Sequence, residues 1–229
     1  MERLANGFTL DIPEGSFPLS TDSMLLSDFV RLPKNARVLD LGAGCGTLGL
    51  LLCAKDAACH VTGIELSESA HTAALGNIAA NSLHGRMISI CGDIRALRQE
   101  VKAGSFDVCL SNPPYFTGGP ASAQYATARR QDQCTTEELF AAAAYALRYG
   151  GDFYLVHKPE YLAQICACAS KAGMEAKELC LVRHRPNTEH NLILVKCRKG
   201  GKPGLKITEL CLFHPDGTPI DYYKKLYRL

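Results

Sequence analysis

A short apolar run, a glycine-rich turn and an apolar helical stretch follow one another without a break. They are Arg37-Val38-Leu39-Asp40-Leu41, then Gly42-Ala43-Gly44-Cys45-Gly46-Thr47, then Leu48-Gly49-Leu50-Leu51-Leu52-Cys53-Ala54. A strand, a glycine turn and a helix in that order let a ligand press against bare backbone at the switch point of a doubly wound sheet. The spacing is Gly-x-Gly-x-Gly, with Asp40 two residues ahead of the first glycine, and not the Gly-x-Gly-x-x-Gly of dinucleotide folds. A glycine cluster by itself marks only a tight turn, so the rest of the chain has to supply the context.

The alternation continues through the chain. Candidate strands cover 37–41, 60–65, 87–91, 106–111 and 151–157, with helices at 47–55, 67–82, 94–102 and 136–149 between them. A helix near 160–172 follows. Two strands near 177–184 and 191–198 are joined by the short polar segment Arg185 to His190, so they pair antiparallel. The expected fold is α/β: a doubly wound, seven-stranded, mostly parallel sheet with a terminal antiparallel pair. Residues 1–36 read as a short leader and 37–229 as the main domain. Within the leader, Thr21 or Asp22 is a fit N-cap for a helix that runs to Val30. Packed over the glycine turn, that helix would shield a ligand.

Acids stand at successive strand ends. Glu65 closes the strand His60-Val61-Thr62-Gly63-Ile64, where a carboxylate can take both hydroxyls of a ribose, or serve merely as a helix N-terminal acid. Asp93 follows the strand Met87-Ile88-Ser89-Ile90-Cys91 and could accept an adenine amine. The next strand, Phe106 to Ser111, runs into Asn112-Pro113-Pro114-Tyr115. The Asn112 side-chain oxygen and the Pro113 carbonyl can both accept from an amine. Proline fixes φ and offers no competing N–H, while Tyr115 supplies a stacking face, which contributes about 1–3 kcal/mol for a base. Together these residues hold a planar group that bears an NH₂.

The glycine motif resembles motif I of S-adenosylmethionine-dependent methyltransferases. Thr21-Asp22-Ser23-Met24-Leu25-Leu26, Asp40-Leu41-Gly42-Ala43-Gly44-Cys45-Gly46 and Ser111-Asn112-Pro113-Pro114-Tyr115-Phe116 are similar to the bacterial tRNA (adenine-N6)-methyltransferase family. Members methylate the exocyclic amine of adenosine 37, beside the anticodon of a valine tRNA. Gly150 to Glu160 resembles that family's fifth strand, and Leu212 to Tyr223 its C-terminal segment. The resemblance implies a class I, Rossmann-like methyltransferase with S-adenosyl-L-methionine as cofactor and tRNA as partner. Expected cofactor contacts are Thr21, Asp22, Asp40, Gly42, Gly44, Gly46, Glu65, Asp93 and Asn112. The catalytic set is Asn112, Pro113, Pro114 and Tyr115. One departure concerns Arg130-Gln131, where relatives carry His-Glu; if this segment orders around the substrate base, target choice differs.

Composition narrows the setting. At 229 residues and 47% hydrophobic, the chain can bury one sizeable core. No run of about 18 apolar residues occurs, and Met1-Glu2-Arg3-Leu4 does not begin a signal peptide. The 11 cysteines include no Cys-x-x-Cys pair, so no metal site or disulfide framework is expected and the chain reads as cytoplasmic. Net charge is +2 overall, yet Lys177 to Leu229 carries +6 and the remainder −4. A basic tail suits a polyanion. Arg129, Arg130, Arg183, Arg185, Lys196, Arg198, Lys199 and Lys202 are therefore expected to grip RNA phosphates.

Other readings compete. A release-factor-type glutamine amide methyltransferase needs a helical domain ahead of the first strand, and only about 36 residues precede it here. A DNA adenine methyltransferase needs a long recognition region after Tyr115. An rRNA base amino-methyltransferase stays open, and a non-catalytic RNA-binding module is disfavoured by the intact Asp40, Glu65, Asp93 and Asn112. Oligomeric state is not readable from the residues.

Overall fold

The alternating strands and helices assemble into an eight-stranded sheet in a computed structural model of the chain, which describes residues 2–4, 7–13, 19–113 and 134–227. A small antiparallel pair comes first, β1 (Glu2–Arg3) and β2 (Thr9–Leu10). The main domain begins with α1 (Thr21–Phe29), β3 (Arg37–Leu41), α2 (Thr47–Lys55), β4 (His60–Glu65), α3 (Glu68–Ala80), β5 (Met87–Cys91) and β6 (Phe106–Ser111). It continues with α4 (Thr136–Ala146), β7 (Leu147–His157), α5 (Leu162–Lys171), β8 (Met174–Arg183) and β9 (His190–Lys199). The last elements are β10 (Lys206–Cys211) and α6 (Asp221–Tyr227).

Strand order is β10-β8-β9-β7-β6-β3-β4-β5. Strands β7, β6, β3, β4 and β5 run parallel, and β9 lies antiparallel to both β7 and β8. The chain moves outward from β3 to β4 and β5, then returns to place β6 on the other side of β3. That reversal opens a crevice between the C-terminal ends of β3 and β6, where ligands bind in sheets of this kind.

Side chains alternate across the sheet and supply two cores. Val38, Val108, Leu110, Tyr154 and Val156 face a layer that includes α1, α2 and α3. Leu39, Leu41, Cys109, Phe153 and Leu155 face α4 and α5. Both faces are covered, which is why these strands read as unbroken apolar runs.

Several expectations need correction. The sheet has eight strands and not seven, because β10 adds parallel to β8. Four of its six residues are exposed, so it carries no apolar pattern. Ser20 caps α1, not Thr21 or Asp22: its backbone is extended and its hydroxyl accepts from the Ser23 N–H. The helix expected at 94–102 is a 3₁₀ segment over Ile94–Gln99, with non-helical backbone at Ala96. The helix expected at 136–149 ends at Ala146, and β7 starts at Leu147 instead of 151. A Cβ on Gly151 would lie 3.0 Å from the carbonyls of Arg148 and Asp107, so only glycine lets β7 approach β6 there.

The leader joins the main core. Leu25 and Leu26 of α1 are fully buried. Lys55, in the last turn of α2, donates from Nζ to the carbonyls of Ser27, Asp28 and Val30 at 2.8–2.9 Å. These are carbonyls at or near the end of α1, where a cation is favourable. Residues 7–13 are stitched to α3 by two asparagines a turn apart. Asn77 bonds the N–H and carbonyl of Asp11, and Asn81 those of Thr9.

Candidate active site

The crevice is walled by the glycine turn on one side and the end of β6 on the other. Ser111, at the last position of β6, donates from its hydroxyl to the Leu41 carbonyl at 2.7 Å. This bond crosses from β6 to β3 and ties the residue before Asn112 to the residue before Gly42. Ser111 is buried and was not singled out in the sequence, where a serine at a strand end carries no signal of its own.

Asp40 is the most perturbed carboxyl among the described residues. It is 1% exposed, and neither carboxylate oxygen has a hydrogen-bond partner among the described residues. Burial pushes its pKa up to about 8, with the nearby Glu65 adding to the rise. An unpaired buried carboxylate costs several kcal/mol, a situation typical of functional sites.

The three glycines of the turn do different work. Gly42 and Gly44 have φ of +78° and +55°, and among the described residues a Cβ on either would meet nothing within 4 Å. Side chains there would project into open space, where a ligand can approach the backbone. Gly46 differs. With φ +88° it forms the N-cap of α2, and a Cβ would sit 2.8 Å from the end of Met87 and 3.5 Å from Ala74. Gly46, expected among the cofactor contacts, therefore also has a packing reason to be glycine.

Glu65 braces the turn. Its Oε2 accepts from the Gly44 N–H and its Oε1 from the Ser67 N–H, both at 2.8 Å. Each oxygen keeps a second lone pair for a ligand hydroxyl. The next residue, Leu66, is 54% exposed, an apolar side chain left at the crevice mouth that the sequence reading passed over. Asp93 is already engaged. Its oxygens accept from the Arg95 backbone and guanidinium at 2.6–3.0 Å, which holds the carboxyl below its usual range. An adenine amine would have to share those oxygens.

Asn112 is tied to α1. Its Nδ2 donates to the Ser23 hydroxyl at 3.0 Å. Thr21 accepts at Oγ1 from the Tyr227 hydroxyl at 2.8 Å, and Asp22 lies in the same first turn of α1. Of the catalytic tetrapeptide, Asn112 and Pro113 are described. Pro114, Tyr115, Arg129 and Arg130 lie outside the described residues.

The basic tail splits in two. Arg183 and Arg185 sit at the site end of the sheet, where Arg183 pairs with Glu209 and the Arg185 backbone N–H bonds the Thr188 hydroxyl. Arg198, Lys199 and Lys202 lie at the other end. In the ladder, Arg198 stands opposite Asp152 and Ile193 opposite His157, so about 17 Å of strand separates Arg198 from the site edge. Arg198 grips Asp152 with two bonds at 2.7 and 2.9 Å, Lys199 donates to the Leu147 carbonyl, and the Lys202 carbonyl accepts from Lys177. Lys196 is buried and pairs with Glu178 at 2.9 Å and Asp152 at 3.5 Å. Three of the tail's cations, Arg183, Lys196 and Arg198, are thus held in ion pairs with side chains of neighbouring strands.

These features fit the cofactor that the sequence resemblance implies. The crevice offers an orphaned buried carboxylate, two glycines open to a ligand, and a braced acid at the next strand end. Among the described residues no group of three or more His, Cys, Asp or Glu gathers as metal ligands, and no helix is long and apolar enough to cross a membrane.

Comparison with known proteins agrees with the geometry. Residues 20–165 match the methyltransferase small domain. A tRNA1(Val) (adenine(37)-N6)-methyltransferase of Shewanella sp. (strain W3-18-1) is 37% identical over 96% of this chain and 97% of its own length. One of Photobacterium profundum is 28% identical over 97% of this chain and 100% of its own. A solved structure described as a predicted O-methyltransferase of Agrobacterium tumefaciens shares the fold at a TM-score of 0.75. It is 21% identical, covering 91% of this chain and 96% of that one.

Proposed function

We propose that this chain, which belongs to the tRNA1(Val) (adenine(37)-N6)-methyltransferase family, methylates the exocyclic amine of adenosine 37 in a valine tRNA. It is a methyltransferase that uses S-adenosyl-L-methionine. The observation that carries the substrate reading is the position of Asn112. It lies at the end of β6, across the crevice from the glycine turn, with its NH₂ engaged by Ser23 and its carbonyl oxygen left as an acceptor.

S-adenosyl-L-methionine, when bound, supplies an activated methyl group on a sulfonium. Asp40, Gly42 and Gly44 receive it against bare backbone, and Glu65 takes ribose hydroxyls with its remaining lone pairs. Thr21 and Asp22, on α1, close the site from the leader side, and Asp93 borders the base. An adenine amine is a poor nucleophile because its lone pair is delocalised into the ring. Asn112 Oδ1 and the Pro113 carbonyl would accept hydrogen bonds from its two N–H groups, favour a pyramidal nitrogen and stabilise the positive charge that grows there until one proton is lost to solvent. Little acid–base chemistry is needed, so positioning supplies most of the rate.

Reaching the site requires an unstacked base, which is cheaper in a loop than in a duplex. That supports an anticodon-loop target, met in the cytoplasm. Arg183 and Arg185, at the site end of the sheet, are the described cations best placed for phosphates, with Arg129 and Arg130 completing the grip.

The test uses an unmodified valine tRNA transcript and labelled S-adenosyl-L-methionine, with the modified base mapped by mass spectrometry. N6-methyladenosine at position 37 is expected from the wild type. Asn112→Ala should abolish turnover with cofactor affinity nearly unchanged. Methylation elsewhere, or full activity in the variant, would overturn the reading.

A further inference from the structure

We infer that Ser23 is a positioning residue for methyl transfer, acting through the Asn112 side chain. The inference rests on the reading of Asn112 given above. An asparagine amide can face a substrate with its NH₂ or its oxygen, and the two are nearly the same shape. Only the oxygen can accept from an amine.

In this structure the Ser23 hydroxyl holds the orientation that presents the oxygen. Its side chain is buried in the first turn of α1, and its hydroxyl oxygen accepts from Asn112 Nδ2 at 3.0 Å. The same oxygen is 3.4 Å from the Ser20 hydroxyl, which donates to it, and the Ser23 N–H is held by that hydroxyl at 3.3 Å. A capping serine therefore fixes the backbone and side chain of Ser23, and Ser23 fixes the amide. The backbone below Asn112 is pinned independently, by the bond from Ser111 to the Leu41 carbonyl. Removing the Ser23 hydroxyl leaves that pin intact and frees the amide to turn over. Ser23 touches neither the target amine nor the reacting methyl group in this scheme.

Ser23→Ala is expected to lower kcat by about 10- to 100-fold, the range that follows from loosening a reacting geometry. The dissociation constant for S-adenosyl-L-methionine and the melting temperature should stay near wild type, and KM for the tRNA transcript should move less than twofold. Ser23→Thr keeps a hydroxyl and should recover most of the rate. In an Asn112→Ala background, Ser23→Ala should add no further loss. A wild-type kcat in Ser23→Ala, alongside an inactive Asn112→Ala, overturns the positioning role while sparing Asn112. Parallel falls in kcat, cofactor affinity and melting temperature also overturn it, because they mark a purely structural serine. Should Asn112→Ala itself turn over normally, the reading of Asn112 fails first and this inference with it.

Discussion

Replacing Asp40 with asparagine should alter the pH dependence of stability more than any other single change. In the unfolded chain this carboxyl titrates near its ordinary value of 3.8, whereas in the fold burial raises it to about 8. The folded state thus binds the proton more tightly. The group's contribution is fully favourable below about pH 4 and is lost progressively as pH rises toward 8. Each pH unit across that window costs about 1.4 kcal/mol, so between pH 5 and pH 8 wild type should lose about 4 kcal/mol that Asp40→Asn does not. Asparagine brings its own unpaired amide, at about 1–3 kcal/mol, but that cost does not vary with pH. With about 2–4 °C per kcal/mol for a chain of this size, the melting curves of variant and wild type should diverge by roughly 8–16 °C over the window. Scanning calorimetry of the cofactor-free protein at several pH values measures the divergence directly. Curves that stay parallel from pH 5 to pH 8 would refute the buried, unpaired carboxylate. The variant should also bind S-adenosyl-L-methionine more weakly, since the same oxygens are left for the ligand.

Gly44→Val should cost about 1–2 kcal/mol of stability, because a β-branched residue is strained at a φ of +55°, and should lose cofactor binding in calorimetry by filling space that the described residues leave open. Lys55→Met should destabilise the fold by about 2–4 kcal/mol in urea titration, since three carbonyls near the end of α1 lose a charged donor. The triple variant Arg198→Ala, Lys199→Ala, Lys202→Ala should leave the salt dependence of tRNA binding unchanged. Arg185→Ala should lower the slope by about one unit in the same filter-binding series.

Most of the sheet was legible because its central strands are buried on both faces. The limits of β3, β4, β5 and β6 fall where the apolar runs begin and end. The helix after the glycine turn, 47–55, was equally plain. β10 was hidden because four of its six residues are exposed and its sequence, Lys206 to Cys211, is half polar, whereas the other edge strand, β5, keeps an apolar run. The start of β7 was masked by the alanine-rich pattern of α4, which continues smoothly into Leu147. Within the site, Asp40 and the glycines are local in sequence and could be read. The Ser23 contact spans 89 residues and exists only once α1 lies over β6. The ion pairs of Arg183, Lys196 and Arg198 were hidden for a related reason: their partners lie on neighbouring strands, so the pairs exist only once the sheet is assembled.

The last helix also fastens the first. Tyr222 donates to Asp28 at 2.8 Å across 194 residues, and Tyr227 donates to Thr21 across 206. Phe213, Tyr223 and Tyr227 stack in succession beneath them, with ring centroids 4.7–5.1 Å apart. A chain emerging from the ribosome makes α1 early and α6 more than 190 residues later. The sheet can form around β3 to β7 in the meantime, but contacts of such long sequence separation close slowly. The bonds from α6 to α1 are therefore expected to be among the late contacts of this fold. A chain cut before Asp221 would keep the buried Leu25 and Leu26 and the Lys55 bonds that tie α1 to α2, but would lose the two tyrosine bonds that hold the first turn and the last turn of α1.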